Sequence, residues 1–171
     1  MAARSVARDW RLGRLAFAFD VAMPDRPARP ALPPLLPPNR MPRRGRGGSE
    51  KGRIALWHAL AHIEFSAIDL ALDAAGRFGA ELGEGFTGDF LTVAADEAMH
   101  FALLDRRLHA LGSSYGALPA HDGLWDAAYE TGMMRRPGWQ LFRWCSKRGR
   151  SMSRRRRSSV CTRWVTLRVP A

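Results

Sequence analysis

Cysteine is scarce in this chain. Cys145 and Cys161 are the only two in 171 residues, and they do not form a CxxC pair. That spacing excludes the common zinc-ribbon and thioredoxin-type motifs. No run of 18 apolar residues occurs, so the expectation is a chain with no membrane span and a cytoplasmic location. A secretory signal is disfavoured by Asp9 and by the lack of a small-residue cleavage pattern. Acid is missing from the C-terminal stretch: residues 135–171 hold 12 Lys and Arg and no Asp or Glu. This leaves 15 basic and 16 acidic residues in 1–134, a net of −1. The formal charge of +11 therefore describes a tail and not a basic domain. The length suits one ordinary domain.

The chain divides into four stretches. Residues 1–20 are Arg-rich and then briefly apolar, and they are expected to form an N-terminal helix packed on the domain. Residues 21–48 form a Pro/Arg-rich strap, with 8 of the 11 prolines between 24 and 42. Proline has a fixed φ and no N–H, so this stretch is expected to be extended and to lie over the domain. Residues 49–134 carry the helical core. Residues 135–171 form the basic tail. Three readings stay open for the tail: a disordered segment, a nucleic-acid-binding arm in which Arg alternates with Trp139, Trp144 and Trp164, or an off-frame translation.

Ser49 is a candidate N-cap with Glu50 in the first turn. A first long helix is predicted from there to about Phe78. Its stripe is Trp57, Leu60, Ala61, Glu64, Ile68, Ala71, Leu72 and Ala75. Residues 79–88, GAELGEGFTG, are predicted to be a Gly-rich turn. A second helix follows, with Phe90, Val93, Ala94, Glu97, Phe101, Leu104, Leu108 and Leu111 at three- and four-residue steps. Gly112 stops it. Asp122 is expected to cap a short third helix with Leu124 and Trp125 on its apolar side.

Each long helix carries one carboxylate in its apolar row, Glu64 in the first and Glu97 in the second. A buried carboxylate costs several kcal/mol unless a cation or metal meets it. His100 lies three residues after Glu97, and Glu and His at i, i+3 can reach one ion. Antiparallel pairing of the two helices would bring Glu64, Glu97 and His100 together. His58 and His62, four apart on a neighbouring face, could bind a metal as an isolated pair, but surface or second-shell positions are expected for them. His62 and Asp96 are the second-shell candidates. No catalytic residue is assigned.

The segments PDRPARP, PPNRMPRRG, HALAHIEFSAIDLALD, ADEAMHFALLDRRLHALG and YGALPAHDGLWDAA occur in that order. Together they resemble a bacterial ferritin-like family of unknown function, distantly similar to the tRNA-modifying di-iron hydroxylase, over about residues 20–131. The resemblance implies an all-α fold, a four-helix ferritin-like bundle with a presumed di-iron site. Its pattern places a Glu on the first core helix, Glu-x-x-His on the second, a Glu on the third and a second Glu-x-x-His on the fourth. Glu64 matches the first of these, and Glu97 with His100 the second. The last two contributions are absent, so the expected fold is an incomplete bundle. It would consist of an antiparallel long-helix hairpin plus a short third helix, with the extended strap and the basic tail appended.

Back-translation from Gly132, read two bases later, permits an apolar helical string that carries a Glu. The expectation is a frameshift near residue 132, with 132–171 out of frame. Three functions follow: a di-iron oxidase or hydroxylase whose site is half complete, a non-catalytic helical module with a nucleic-acid-binding tail, or a truncated product without function. The half-site is expected to take up iron at low occupancy and to do no oxygen chemistry as a monomer. A homodimer would complete four helices.

Overall fold

Ser49 opens the main helix as expected. Its backbone is extended (φ −81°, ψ 154°), and its Oγ accepts the N–H of Gly52 at 3.1 Å, which satisfies one of the unpaired N–H groups of a helix start. In the computed structural model, which describes residues 2–42 and 48–130, the described residues hold three α-helices and no strand. These are α1 (Ala2–Arg11), α2 (Glu50–Ala110) and α3 (Gly123–Glu130), with a 3-10 turn at Pro38–Arg40. The main body ends at Ala127, and residues 128–130 belong to a second unit. The C-terminal tail, its proposed frameshift and its cysteines lie outside the described residues.

The helix α2 is a hairpin. At Gly83 the backbone takes φ 83° and ψ −179°, a region open essentially to glycine alone. The chain reverses there, and pairs equidistant from it meet. Phe65 and Phe101 have ring centroids 5.6 Å apart. A Cβ on Gly79 would lie 2.6 Å from Thr87 Oγ1 and 2.6 Å from the Phe19 ring, so the arms cross closely beside the turn. The predicted ten-residue loop is thus a correction: 79–88 is helical except at Gly83. Gly79 allows close approach of the arms, and Gly88 that of Trp10, without unwinding the helix. A helix this long and apolar passes a length-and-composition test for crossing a membrane. Its fold-back and its cover make that weak evidence for a span.

The first twenty residues divide differently from expectation. Helix α1 ends at Arg11, closed by Gly13 N–H to Trp10 O (2.9 Å) and Arg14 N–H to Asp9 O (2.9 Å). Ala3 and Ala7 are buried, and α1 packs on α2. Trp10 and Phe17 then pack with centroids 4.7 Å apart.

The strap lies along the hairpin, held by charge. Arg29 donates to Asp69 of the first arm at 2.6 Å and to Asp122, just before α3, at 2.8 Å. Arg26 reaches Asp126 at 2.9 Å. Arg77 pairs with Asp73 at 2.7 Å and donates to the carbonyl of Pro24. Leu36 N–H and Ala120 O, with Ala120 N–H and Pro34 O, form a short parallel bridge to the loop before α3. The carboxylate of Asp122 is therefore committed to arginines. Asp122 stands immediately before α3, as expected of its cap, and its carbonyl accepts the N–H of Asp126 at 2.9 Å; the N–H of Gly123 is accepted by His121 Nδ1 at 3.2 Å. Trp125 is buried in α3, as its apolar side requires.

Two substitutions test this frame. Gly83→Ala is expected to lose about 1–3 kcal/mol, the cost of a side chain in that backbone region, read as a shift in the urea midpoint at unchanged slope. Arg29→Ala removes one partner of a mostly buried cluster and leaves Asp69 and Asp122 facing each other. An expected loss of about 3 kcal/mol, with earlier proteolysis of residues 21–42, is the outcome to measure. No change in either readout would mean that the strap is not held by charge.

Candidate metal centre

Glu97 and His100 stand three residues apart on the second arm of α2, and Glu64 stands on the first. The reversal at Gly83 brings them together. One ligand-type atom of each lies within 4.8 Å of the others. His100 Nδ1 is 3.2 Å from Glu97 Oε2 and 3.6 Å from Glu64 Oε2. Glu97 is 6 % exposed, while Glu64 and His100 are half-buried. Two carboxylates converge on one imidazole nitrogen, so the pair needs a cation between them. Two arrangements can provide it: a protonated His100 bridging both, or a metal ion shared by all three.

The two second-shell candidates lie elsewhere. Asp96 is exposed and faces α1 across a groove that also contains Arg4, Arg8 and Arg11. His62 has both ring nitrogens engaged outside the cluster. Its Nε2 is 3.1 Å from the carbonyl of His121 and its Nδ1 is 2.9 Å from the Tyr115 hydroxyl. A carbonyl can only accept, so the proton sits on Nε2 and Nδ1 accepts the phenol O–H.

His58 and His62 are not surface residues, and this corrects the sequence expectation. They are 2 % and 7 % exposed. His58 Nε2 accepts the N–H of Gly116 at 3.0 Å and of Leu118 at 3.4 Å. In the loop 112–121 the N–H groups of Gly112 and Ser113 are accepted by carbonyls of α2 and that of Ala120 by Pro34 O, while the His58 imidazole supplies the acceptor for Gly116 and Leu118. Burial holds the pKa of both histidines below its usual value; for His62, the nearby Arg29 adds to that effect.

The sequence reading missed Tyr115 and Arg29. Tyr115 stacks on His58 (5.3 Å) and Phe65 (5.4 Å) and meets Phe101 edge-on (4.9 Å), and its backbone N–H donates to Asp105 at 3.0 Å. Burial raises its phenol pKa well above the usual range, so it remains a hydrogen-bond donor to His62. The signal that would have revealed the lane was the polar row His58, His62, Ser66, Asp69 and Asp73 along one side of the first arm. Of the predicted stripe, Ala61, Ala71 and Ala75 are buried, while Trp57, Leu60, Glu64, Ile68 and Leu72 are half-buried; the strap and loop cover the polar side.

The family described as "Protein of unknown function (DUF455)" matches residues 1–136. An uncharacterized protein of Haemophilus influenzae is 48% identical over 110 residues, which is 61% of this chain and 38% of that protein. The chain therefore spans well under half of that relative. No solved structure matches.

The histidine lane sets a pH dependence. Both imidazoles sit below the free value of 6.5 when folded, so on acidification the unfolded chain takes up protons first. Their contribution to stability is full above pH 6.5 and is lost as pH falls through the interval below. Asp69 and Asp73, pushed above 3.8 chiefly by burial, act in the opposite sense from just above pH 3.8. Tm in EDTA is expected to drop between about pH 7.5 and about 5.5, with a smaller drop in a H58Q/H62Q chain. Equal drops in both would assign the effect to other groups.

Proposed function

The chain belongs to the DUF455 family, and on that premise we propose that Glu64, Glu97 and His100 are one half of a carboxylate–histidine metal site of the di-iron kind, on a ferritin-like helical hairpin. The observation that carries this reading is the near-complete burial of Glu97 beside a second carboxylate and an imidazole nitrogen. Two donors each about 2.1 Å from one ion sit roughly 3.0–3.4 Å apart at octahedral or tetrahedral angles. The separations of 3.2 and 3.6 Å about His100 Nδ1 are close to that range, and small rotations of the two glutamates would close the remainder. Carboxylate oxygen with imidazole nitrogen is a donor set suited to iron.

Iron held in such a site supplies dioxygen activation, as an oxidase or hydroxylase uses it. The chain's own residues hold the donors in register through the Gly83 turn. Phe65 and Phe101 lie in the same turns as the ligands and pack with Tyr115 of the loop, which keeps that side of the pair apolar. Three donors are fewer than iron uses, so the remaining ligands come from outside the described residues. A second copy of this chain, giving four long helical arms and two such triads, is the proposed source.

A second reading keeps His100 as an imidazolium between the two glutamates, favoured by its single nitrogen facing both. Metal titration separates the two. Fe(II) added without oxygen to the EDTA-treated full chain is expected to raise Tm, reaching about 2.7 kcal/mol of stabilisation at a hundredfold excess over Kd. Glu97→Gln is expected to weaken that binding at least tenfold, to the order of 1.4 kcal/mol. A Glu97→Gln chain with unchanged metal response, or a parent chain with none, selects the structural reading.

A further inference from the structure

The helix α1 contradicts the local rules for a stable surface helix. Arg4, Arg8 and Arg11 recur at steps of four and three residues, which puts them on one face, and all three are exposed. Like charges at these steps repel. Arg4 also sits near the positive end of the helix, whose first turn holds no acid. Among the described residues, Arg4 and Arg11 have no ion-pair partner, and Arg8 meets only its neighbour Asp9, at 3.1 Å. The buried side of α1, Ala3 and Ala7, accounts for its packing but not for these arginines. A sequence that accepts such a local conflict commonly does so where it binds something.

The arginines also line a concave surface. Arg4, Ser5, Arg8 and Arg11 form one wall of a cleft of about 410 Å³, and Thr92 and Asp96 of α2 stand on the other. Guanidinium groups offer forked donors that match phosphoryl oxygens. The hydroxyl of Ser5 adds a further donor. From Arg4 to Arg11 the helix rises about 10 Å, more than one phosphoryl group spans. We propose that this cleft binds an oligophosphate, the phosphate chain either free or borne by a nucleotide. The site is separate from the glutamate–histidine cluster and does not depend on it. Asp96 repels the ligand and moderates its affinity.

Tripolyphosphate and a nucleoside triphosphate, titrated calorimetrically into the full chain at about 50 mM and about 200 mM salt, test this. Binding of tripolyphosphate is expected to weaken about tenfold or more in R4Q/R8Q/R11Q and to tighten about threefold in Asp96→Asn. These exposed positions leave folding intact, which Tm checks. Equal affinity for the two ligands identifies the phosphate chain as what is bound, and tighter nucleotide binding adds recognition of the base; both support the site. The basic stretch Arg154–Arg157 is a competing binder. Binding that ignores the α1 and Asp96 variants but disappears when those four residues are replaced by Gln overturns the proposal, and so does the absence of binding.

Discussion

The backbone at Gly83 is the constraint on which the rest depends. One residue at φ 83° and ψ −179° turns a 61-residue helical stretch back on itself. Gly79 with Thr87 and Phe65 with Phe101 are symmetric about it, and Glu64 with His100 nearly so. A loop of several residues would leave the register loose. A single-residue reversal makes the pairing rigid, because both arms remain hydrogen-bonded helices up to the turn. The Glu64–Glu97–His100 cluster is a consequence of that register. His100 lies close to the position opposite Glu64, and Glu97 stands one helical turn nearer the bend on the same side, within reach of both.

The hairpin alone is a poor fold, since two helices cannot bury all their faces. The strap and the loop before α3 supply cover on one side only, and that side is polar. His58 and His62 accept or donate to the loop, Tyr115 fills the space between them and the Phe65–Phe101 pair, and Arg29 ties Asp69 to Asp122. Partly satisfied, such a network would be costlier than an apolar core. Here nearly every member has a partner, and this is what fixes the path of a proline-rich segment that has few backbone donors of its own.

The opposite side has different chemistry. Trp57, Leu60, Ile68 and Leu72 are half-buried there. Glu64 stands in that half-buried row, beside His100 of the second arm. Glu64 thus shares its row with half-buried apolar residues; under the proposed function, that row is where a second pair of helices would add ligands and cover. The arginine groove of α1 lies apart from this, with Asp96 turned toward it.

The sequence by itself determined the all-helical class, the Ser49 cap, the hairpin partnership and the two carboxylates that interrupt apolar rows. Each follows from local spacing, which chain geometry turns directly into a helix face. It did not determine which side of the first arm would be covered. Periodicity marks an apolar stripe, but a polar row such as His58, His62, Ser66 and Asp69 reads as solvated unless its partners are known. Those partners, Arg29, Tyr115 and the N–H groups of 116 and 118, are 40 to 60 residues away along the chain. Hydrogen bonds and ion pairs over such separations leave no periodic trace, so only the tertiary structure could decide that the polar side is buried as well. The same holds for the turn. A run of glycines reads as a loop, and only packing shows that Gly83 alone reverses the chain while Gly79 lets the arms touch.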